Sequence, residues 1–76
     1  MSFTHITVYE RPSKRKTRIW TVYNKYDGNE LGGIAWFGRW RKYAFFPEVG
    51  CVFEEVCMRE LSDFIVEKTK EKIGES

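Results

Sequence analysis

Hydrophobic side chains recur at every second position in three runs of the chain, which is the period of a β-strand. The runs cover residues 18–24, 30–37 and 40–46. Asp27-Gly28-Asn29 and Gly38-Arg39 separate them, and such residues favour tight turns. The alternation assigns Trp20, Val22, Ile34 and Trp36 to one side of each strand, and Ile19, Thr21, Tyr23, Ala35 and Phe37 to the other.

Two further segments precede this meander. Residues 3–9 alternate and are rich in β-branched and aromatic side chains, which predicts a short strand or an extended arm. Residues 10–17 contain Pro12 and several cations, so we expect a solvated loop. Within the second strand, Gly32-Gly33 indicates a bulge, or a place where another backbone or a large ring comes close.

After Pro47 and a loop at residues 48–53, the period changes to that of a helix, from about Glu54 to Lys72. One helical stripe contains Cys57, Leu61, Phe64, Ile65 and Lys68. Acidic side chains lie at the start of this segment and basic ones at its end, in agreement with the helix dipole. We expect the helix to end near Gly74.

Together these elements predict an α+β fold: a three-stranded antiparallel meander packed by one C-terminal helix, with residues 3–9 as a candidate fourth strand. The 76 residues form a single domain, with the N-terminal strand or arm and basic loop at 1–17, the β-meander at 18–47 and the helix at 54–72. The helix must bury its stripe against one sheet face, which leaves the other face open. The expected core is Trp20, Val22, Ile34, Trp36, Tyr43, Phe45, Cys57, Leu61, Phe64 and Ile65.

The composition is that of a folded, soluble chain, and we expect a cytoplasmic protein. No apolar run approaches the length of a membrane span, and the N-terminus lacks the pattern of a signal peptide. Cys51 and Cys57 have the spacing of neither a redox motif nor a zinc knuckle, and His5 is distant in sequence. We therefore expect reduced thiols, no metal and no cofactor.

Charge is unevenly distributed along the chain. Residues 1–47 carry a net charge of +6 and residues 48–76 a net charge of −4. Five cations lie between Arg11 and Arg18, where they could neutralise phosphates or could simply keep a mobile loop in solution. The acidic helix side chains Glu55, Glu60, Asp63, Glu67 and Glu71 could meet a basic partner or a second copy, or form an ordinary solvated surface.

Residues 34–47 combine six aromatic side chains with three cations. On a strand, Arg39, Arg41 and Tyr43 would project to one face, and Trp40 and Lys42 to the other. Such a hairpin either builds core, with its cations at the rim, or presents rings and charges for base stacking and phosphate contact. A domain of this size cannot bury all thirteen aromatic side chains, so part of this aromatic surface is expected to be exposed.

The chain gives little support to catalysis. It has one histidine, no Ser/His/Asp set, and no lysine after Gly32-Gly33 of the kind found in a phosphate-binding loop. We expect a protein that is not an enzyme.

The run from Leu31 to Pro47, with Phe53, Cys57 and residues 61–65 after it, resembles a family of small proteins of unknown function encoded by phages, prophages and other prokaryotic genomes. That family carries a pattern close to Leu-Gly-x-Ile-x-Trp-x-x-x-Trp-Arg-x-Tyr-x-Phe-x-Pro before a short helix. The resemblance covers residues 18–68 and implies a fold and a genomic setting, without an activity. The predicted architecture is also similar to the DNA-binding sheet domains of some phage integrases.

The leading functional hypothesis is a non-enzymatic nucleic-acid-binding module. Its predicted contact residues are Arg11, Lys14, Arg15, Lys16, Arg18, Arg39, Trp40, Arg41 and Lys42. The alternative is a protein-interaction module, such as a phage-type accessory protein that binds a host or viral protein through exposed aromatics. We expect a monomer or a weak homodimer and no membrane partner.

Overall fold

The computed structural model of the chain describes residues 3–14 and 16–74, and its fold is α+β. Four strands form one antiparallel sheet in the order β1-β2-β3-β4, followed by a single helix. The elements are β1 (Ile6–Arg11), β2 (Ile19–Asn24), β3 (Glu30–Phe37), β4 (Lys42–Pro47) and α1 (Glu55–Gly74). The predicted class, the antiparallel meander and the C-terminal helix are confirmed, and the candidate fourth strand is present.

The helix packs on the sheet face that carries Trp20 and Val22, as the alternation predicted. The indole of Trp20 lies at the centre of this core, with its ring centroid 5.1 Å from those of both Tyr43 and Phe64 in edge-to-face geometry. Such pairs add about 0.5–1.5 kcal/mol each beyond the burial of their surface. The aromatic contacts therefore join β2, β4 and α1 into one small but dense core.

Most of the predicted core is buried. Trp36, Phe45 and Ile65 are instead half-buried and pack against its rim. Ile6 and Leu31 were missed, although both are buried. Ile6 lies in a segment that could also have been an extended arm, and Leu31 is the extra residue where the pairing of β2 with β3 shifts between Val22 and Tyr23.

The first strand is shifted from its predicted position. It begins at Ile6 and continues to Arg11, so Glu10 and Arg11 belong to the sheet and not to the solvated loop. These polar residues remain in register with β2 because Glu10 is opposite Trp20 and Arg11 is opposite Ile19. β1 is an edge strand, and its last residues need no apolar side chains to pair.

The β3–β4 connection is longer than the predicted two residues. Lys42 is the first residue of β4 and pairs with Phe37, so Arg39, Trp40 and Arg41 lie in a turn and do not alternate on a strand. The turn is closed by hydrogen bonds from the Trp40 N–H to the Phe37 carbonyl (3.1 Å) and from the Arg41 N–H to the Gly38 carbonyl (3.2 Å). Arg41 then adopts a left-handed conformation (φ 53°) that returns the chain to the sheet.

Glu54 caps the N-terminus of the helix. The Glu54 side chain accepts a hydrogen bond from the Cys57 N–H at 2.6 Å, which satisfies one of the free amides of the first turn. Hydrogen bonds from the Cys57 and Val56 amides hold the pKa of Glu54 below its usual value. The helix then runs antiparallel to β4, because Thr69 near its C-terminus accepts a hydrogen bond (3.1 Å) from the N–H of Tyr43, the second residue of β4.

Candidate functional site

The antiparallel order brings the two predicted cationic segments to the same end of the sheet. β1 and β3 both run toward this end, so the β1–β2 loop (residues 12–18) and the β3–β4 turn (residues 38–41) extend from it together. We call this region the basic end and define it as residues 11–14, 16–18, 38–42 and 68–72. The β1–β2 loop and the β3–β4 turn are far apart in sequence but lie at the same end of the sheet.

The C-terminal turns of α1 belong to the basic end because the helix runs toward it. A small cleft of about 20 Å³ is lined there by loop, sheet and helix side chains: Lys16, Arg18, Trp20, Tyr43, Lys68, Glu71 and Lys72. The helix thus adds Lys68, Lys70 and Lys72 to the cations of the loop and the turn. The sequence did not predict this third contribution, since it lies in the acidic half of the chain.

Acidic side chains gather at the opposite end of the molecule. Asp27 and Glu30 lie in and after the β2–β3 turn, and Glu48 follows β4 at the same end. A hydrogen bond between the carboxyl groups of Glu30 and Glu48 raises the pKa of Glu48. The fold thus places these three carboxyl groups, two of them from the basic half of the chain, at the end opposite the cations.

The Arg18 side chain is engaged in contacts with other residues of the protein. Its guanidinium contacts the carboxylates of Glu10 (2.6 Å) and Glu71 (3.6 Å) and lies 4.8 Å from the ring centroid of Trp20. The hydrogen bond from Arg18 lowers the pKa of Glu10, and that same bond raises the pKa of Arg18. This predicted phosphate contact thus joins β1 and β2 to the helix.

Six other predicted cations are exposed and form no ion pair with the carboxylates of the described residues. They are Arg11, Lys14, Lys16, Arg39, Arg41 and Lys42. Trp40, at the tip of the β3–β4 turn, is 63% exposed. Arg15 lies outside the described residues. The basic end therefore presents an excess of cations that no carboxylate of the described residues neutralises.

The sheet face opposite the helix carries a second group of aromatic side chains. By register, this open face comprises alternate residues of every strand: Thr7, Tyr9, Arg11, Ile19, Thr21, Tyr23, Gly33, Ala35, Phe37, Lys42, Ala44 and Phe46. Tyr9 is 60% exposed and Phe46 is 49% exposed. On the two central strands of this face, Thr21, Gly33 and Ala35 are small, whereas Ile19, Tyr23 and Phe37 are large.

Two edge-to-face ring pairs flank this face. The rings of Tyr9 and Tyr23 have centroids 5.8 Å apart on the β1–β2 side, and those of Phe37 and Trp40 are 4.7 Å apart beside the basic end. A groove of about 540 Å³ crosses the β1–β2 side, lined by Thr7, Tyr9, Arg11, Thr21, Tyr23, Asn24, Lys25, Gly28 and Glu30. The open face thus combines rings, a shallow groove and adjacent cations.

Sequence reasoning missed Tyr9, Tyr23, Phe37 and Phe46 as surface residues of interest. The signal that could have found them is the alternation itself. Once the helix is placed on the face of Trp20 and Val22, the residues that alternate with them along β2, such as Tyr23, must project from the opposite face of the sheet.

Within residues 3–14 and 16–74, no three histidine, cysteine, aspartate or glutamate side chains lie close enough together to hold a metal ion. In the same part of the chain, no helix has the length and apolar character needed to cross a membrane. No protein-family model, curated protein or solved structure matches this chain.

Proposed function

We propose that this protein is a non-enzymatic nucleic-acid-binding module. The observation that carries the proposal is the meeting of three cationic segments at one end of the sheet, directly beside an uncovered face that bears aromatic rings. Six of these cations form no ion pair with a carboxylate of the described residues. They are available for phosphates, and their binding would release the counterions condensed on the nucleic acid.

In this arrangement, the cations and the aromatic rings contact different parts of a nucleic acid. Lys14, Lys16, Arg39 and Arg41 lie on connections that project beyond the sheet, where they can reach a phosphate backbone. The exposed rings of Tyr9, on β1, and Trp40, on the β3–β4 turn, can contact bases. Phosphate contacts fix the position of the ligand on the protein, and contacts to the bases add to its affinity.

A protein-interaction module is the second candidate, and a separate observation favours it. Val49 and Val52, in the loop between β4 and α1, are 102% and 90% exposed, and this loop starts at the end opposite the cations. Exposed apolar side chains in one loop suit a protein contact. A phage-type accessory protein remains a prediction from the sequence resemblance under this alternative.

The proposal is tested by following the amide resonances of labelled protein during titration with short oligonucleotides at 20 and 150 mM salt, chosen as about a sevenfold range. We expect shifts at residues 11–14, 16–18 and 37–43 that weaken as salt increases. The paired changes Lys14→Ala/Lys16→Ala and Arg39→Ala/Arg41→Ala should each lower the affinity. Each lost phosphate contact should reduce the slope of log affinity against log salt by about 0.7–0.9.

Arg59→Ala is the matched control, because Arg59 is an exposed cation on the N-terminal half of α1 that pairs only with Glu55 (3.7 Å) among the described residues. It should leave the affinity unchanged. Absence of shifts at low salt would remove the proposal, and so would an equal loss of affinity in the control. Salt-tolerant binding to a single protein, with shifts centred on Val49 and Val52, would favour the second candidate.

A further inference from the structure

We infer that the open face takes single-stranded nucleic acid, with unpaired bases on its aromatic rings and the phosphates toward the basic end. The inference rests on the proposed function and adds to it the class of ligand and the surface that selects it. Its argument comes from the shape, the ring positions and the charges of the open face.

The shape of the open face suits flat groups. Across its middle row, Tyr9 on β1 and Phe46 on β4 stand at the two edges, and Thr21 and Gly33 lie between them. In the next row toward the basic end, Ala35 pairs with Ala44. Four strands at a spacing of ~4.8 Å make this floor about 14 Å wide. The row of Ala35 and Ala44 also contains Ile19 on β2. The low part of the floor therefore lies on β3 and β4, where a flat base can lie over Gly33, Ala35 and Ala44.

The rings are held in place before any ligand arrives. Tyr9 and Trp40 each pack edge-to-face against a neighbour, Tyr23 and Phe37 respectively, at interplanar angles of 72° and 76°. This leaves Tyr9 and Trp40 about two-thirds exposed while their orientation is constrained. Stacking of a base on such a ring therefore costs less side-chain entropy of the protein than stacking on a freely rotating ring.

Exposed rings of this kind distinguish single strands from duplexes. In a duplex the flat surfaces of the bases are covered by neighbouring base pairs, so a sheet with projecting rings gains nothing from them. Unpaired bases offer both surfaces, and stacking on an aromatic side chain is a main source of affinity for single strands. A duplex would contact the cations alone.

The charge of the open face agrees with a nucleic-acid strand lying across it. Arg11 on β1 and Lys42 on β4 occupy its two outer strands at the basic end. The acidic side chains beside this face are Glu30 and Glu48, whose carboxyl groups are hydrogen-bonded to each other at the end opposite the cations. The phosphates of a bound strand would therefore meet cations along one border of the floor. The described residues place no carboxylate in the middle of the floor.

The test compares fluorescein-labelled oligothymidylate and oligouridylate of twelve nucleotides with a hairpin duplex of matched charge, by anisotropy at fixed salt. The variants are Tyr9→Ala and Trp40→Ala, whose exposed rings can be removed without opening the core. Each should weaken binding of the single strands by about 5- to 150-fold, the loss of one stacked base, and leave the duplex unaffected. Trp40→Phe keeps a ring and should stay within about threefold of the wild type.

Tyr26→Ala is the matched control, because Tyr26 is 76% exposed in the β2–β3 turn, away from the basic end. It should change neither affinity. Quenching of tryptophan fluorescence by oligothymidylate, reduced in Trp40→Phe, gives a second readout that a purely structural role of Trp40 would not produce.

The outcomes separate this inference from the proposed function. If single strands bind through the cations and ignore Tyr9→Ala and Trp40→Ala, or if the duplex binds as tightly as they do, the inference is wrong while nucleic-acid binding stands. If neither oligonucleotide nor duplex binds at low salt, both are wrong, and a protein ligand for the open face becomes the next candidate.

Discussion

Gly32 lies where the sheet has no room for a side chain. A Cβ atom at this position would be 2.4 Å from the Phe46 carbonyl oxygen and 2.8 Å from Cζ of Phe45. The first of these atoms belongs to the backbone of β4, so it cannot move without disturbing the β3–β4 pairing. The glycine therefore permits the close contact between β3 and β4 that was expected from Gly32-Gly33.

We predict that Gly32→Ala destabilises the protein by about 1–3 kcal/mol or more, the usual cost of overpacking. Urea unfolding followed by circular dichroism measures the change. Gly33→Ala is the matched control on the same strand, since its Cβ would lie 3.4 Å from the nearest atom, the Trp20 carbonyl oxygen. It should change the free energy of unfolding by less than about 1 kcal/mol. Equal effects of the two substitutions would contradict this account of Gly32.

At the scale of elements, one helix side chain holds the segment before β1 in place. The Glu60 carboxylate accepts hydrogen bonds from the Thr4 N–H (2.8 Å), the Thr4 hydroxyl (2.9 Å) and the His5 N–H (3.0 Å). Partial burial of Glu60 acts to raise its pKa, but these hydrogen bonds outweigh that effect and the pKa is lowered. The same clamp brings Phe3 against Phe64, with ring centroids 6.0 Å apart.

We predict that Glu60→Gln lowers the free energy of unfolding by about 1 kcal/mol at pH 7, because charge-assisted hydrogen bonds are replaced by weaker ones at a partly exposed site. The pKa of Glu60 is lower in the folded protein than in the unfolded chain. The contribution of Glu60 to the free energy of unfolding is therefore complete at a pH above the ordinary glutamate pKa of about 4.3. It is lost as the pH falls through the pKa that Glu60 has in the folded protein.

The difference between wild type and Glu60→Gln should consequently shrink as the pH is lowered, when measured by urea unfolding across the acid range. Hydrogen exchange at the amides of Thr4 and His5 should quicken in the variant at pH 7. Asp63→Asn, a change of the same kind on an exposed residue of the same helix, should do neither. A difference that persists undiminished in acid would show that the charge of Glu60 is not the cause.

The elements with regular periodicity could be predicted from the sequence, and the connections could not. β3 matches its predicted bounds, and α1 begins one residue later than expected and ends at Gly74, the expected stop. The period identifies buried faces, and burial is what fixes these elements. The turn at residues 38–41 depends instead on the backbone angles of single residues such as Arg41, and nothing in the hydrophobic pattern reports those angles.

At the scale of the whole molecule, the direction of each strand decides which charges become neighbours. The individual cations of the loop and the turn could be selected from the sequence, but their meeting depends on β1 and β3 being parallel in direction within an antiparallel sheet. The lysines at the end of α1 join them only because the helix returns along β4. The open-face rings required the helix to be placed first, so the complete surface could not be predicted before the fold.

The separation of basic and acidic ends also has a consequence for rates. A molecule 37 Å long that is charged oppositely at its two ends turns in the field of an approaching polyanion, so that its basic end leads. We predict that the association rate constant for an oligonucleotide falls steeply as salt rises from 20 to 150 mM, as expected for about a sevenfold change in screening ions. Dissociation should depend mainly on the rings, so Trp40→Ala should accelerate it and change association little. Stopped-flow fluorescence separates the two rate constants, and an equal salt dependence of both would contradict such orientation before contact.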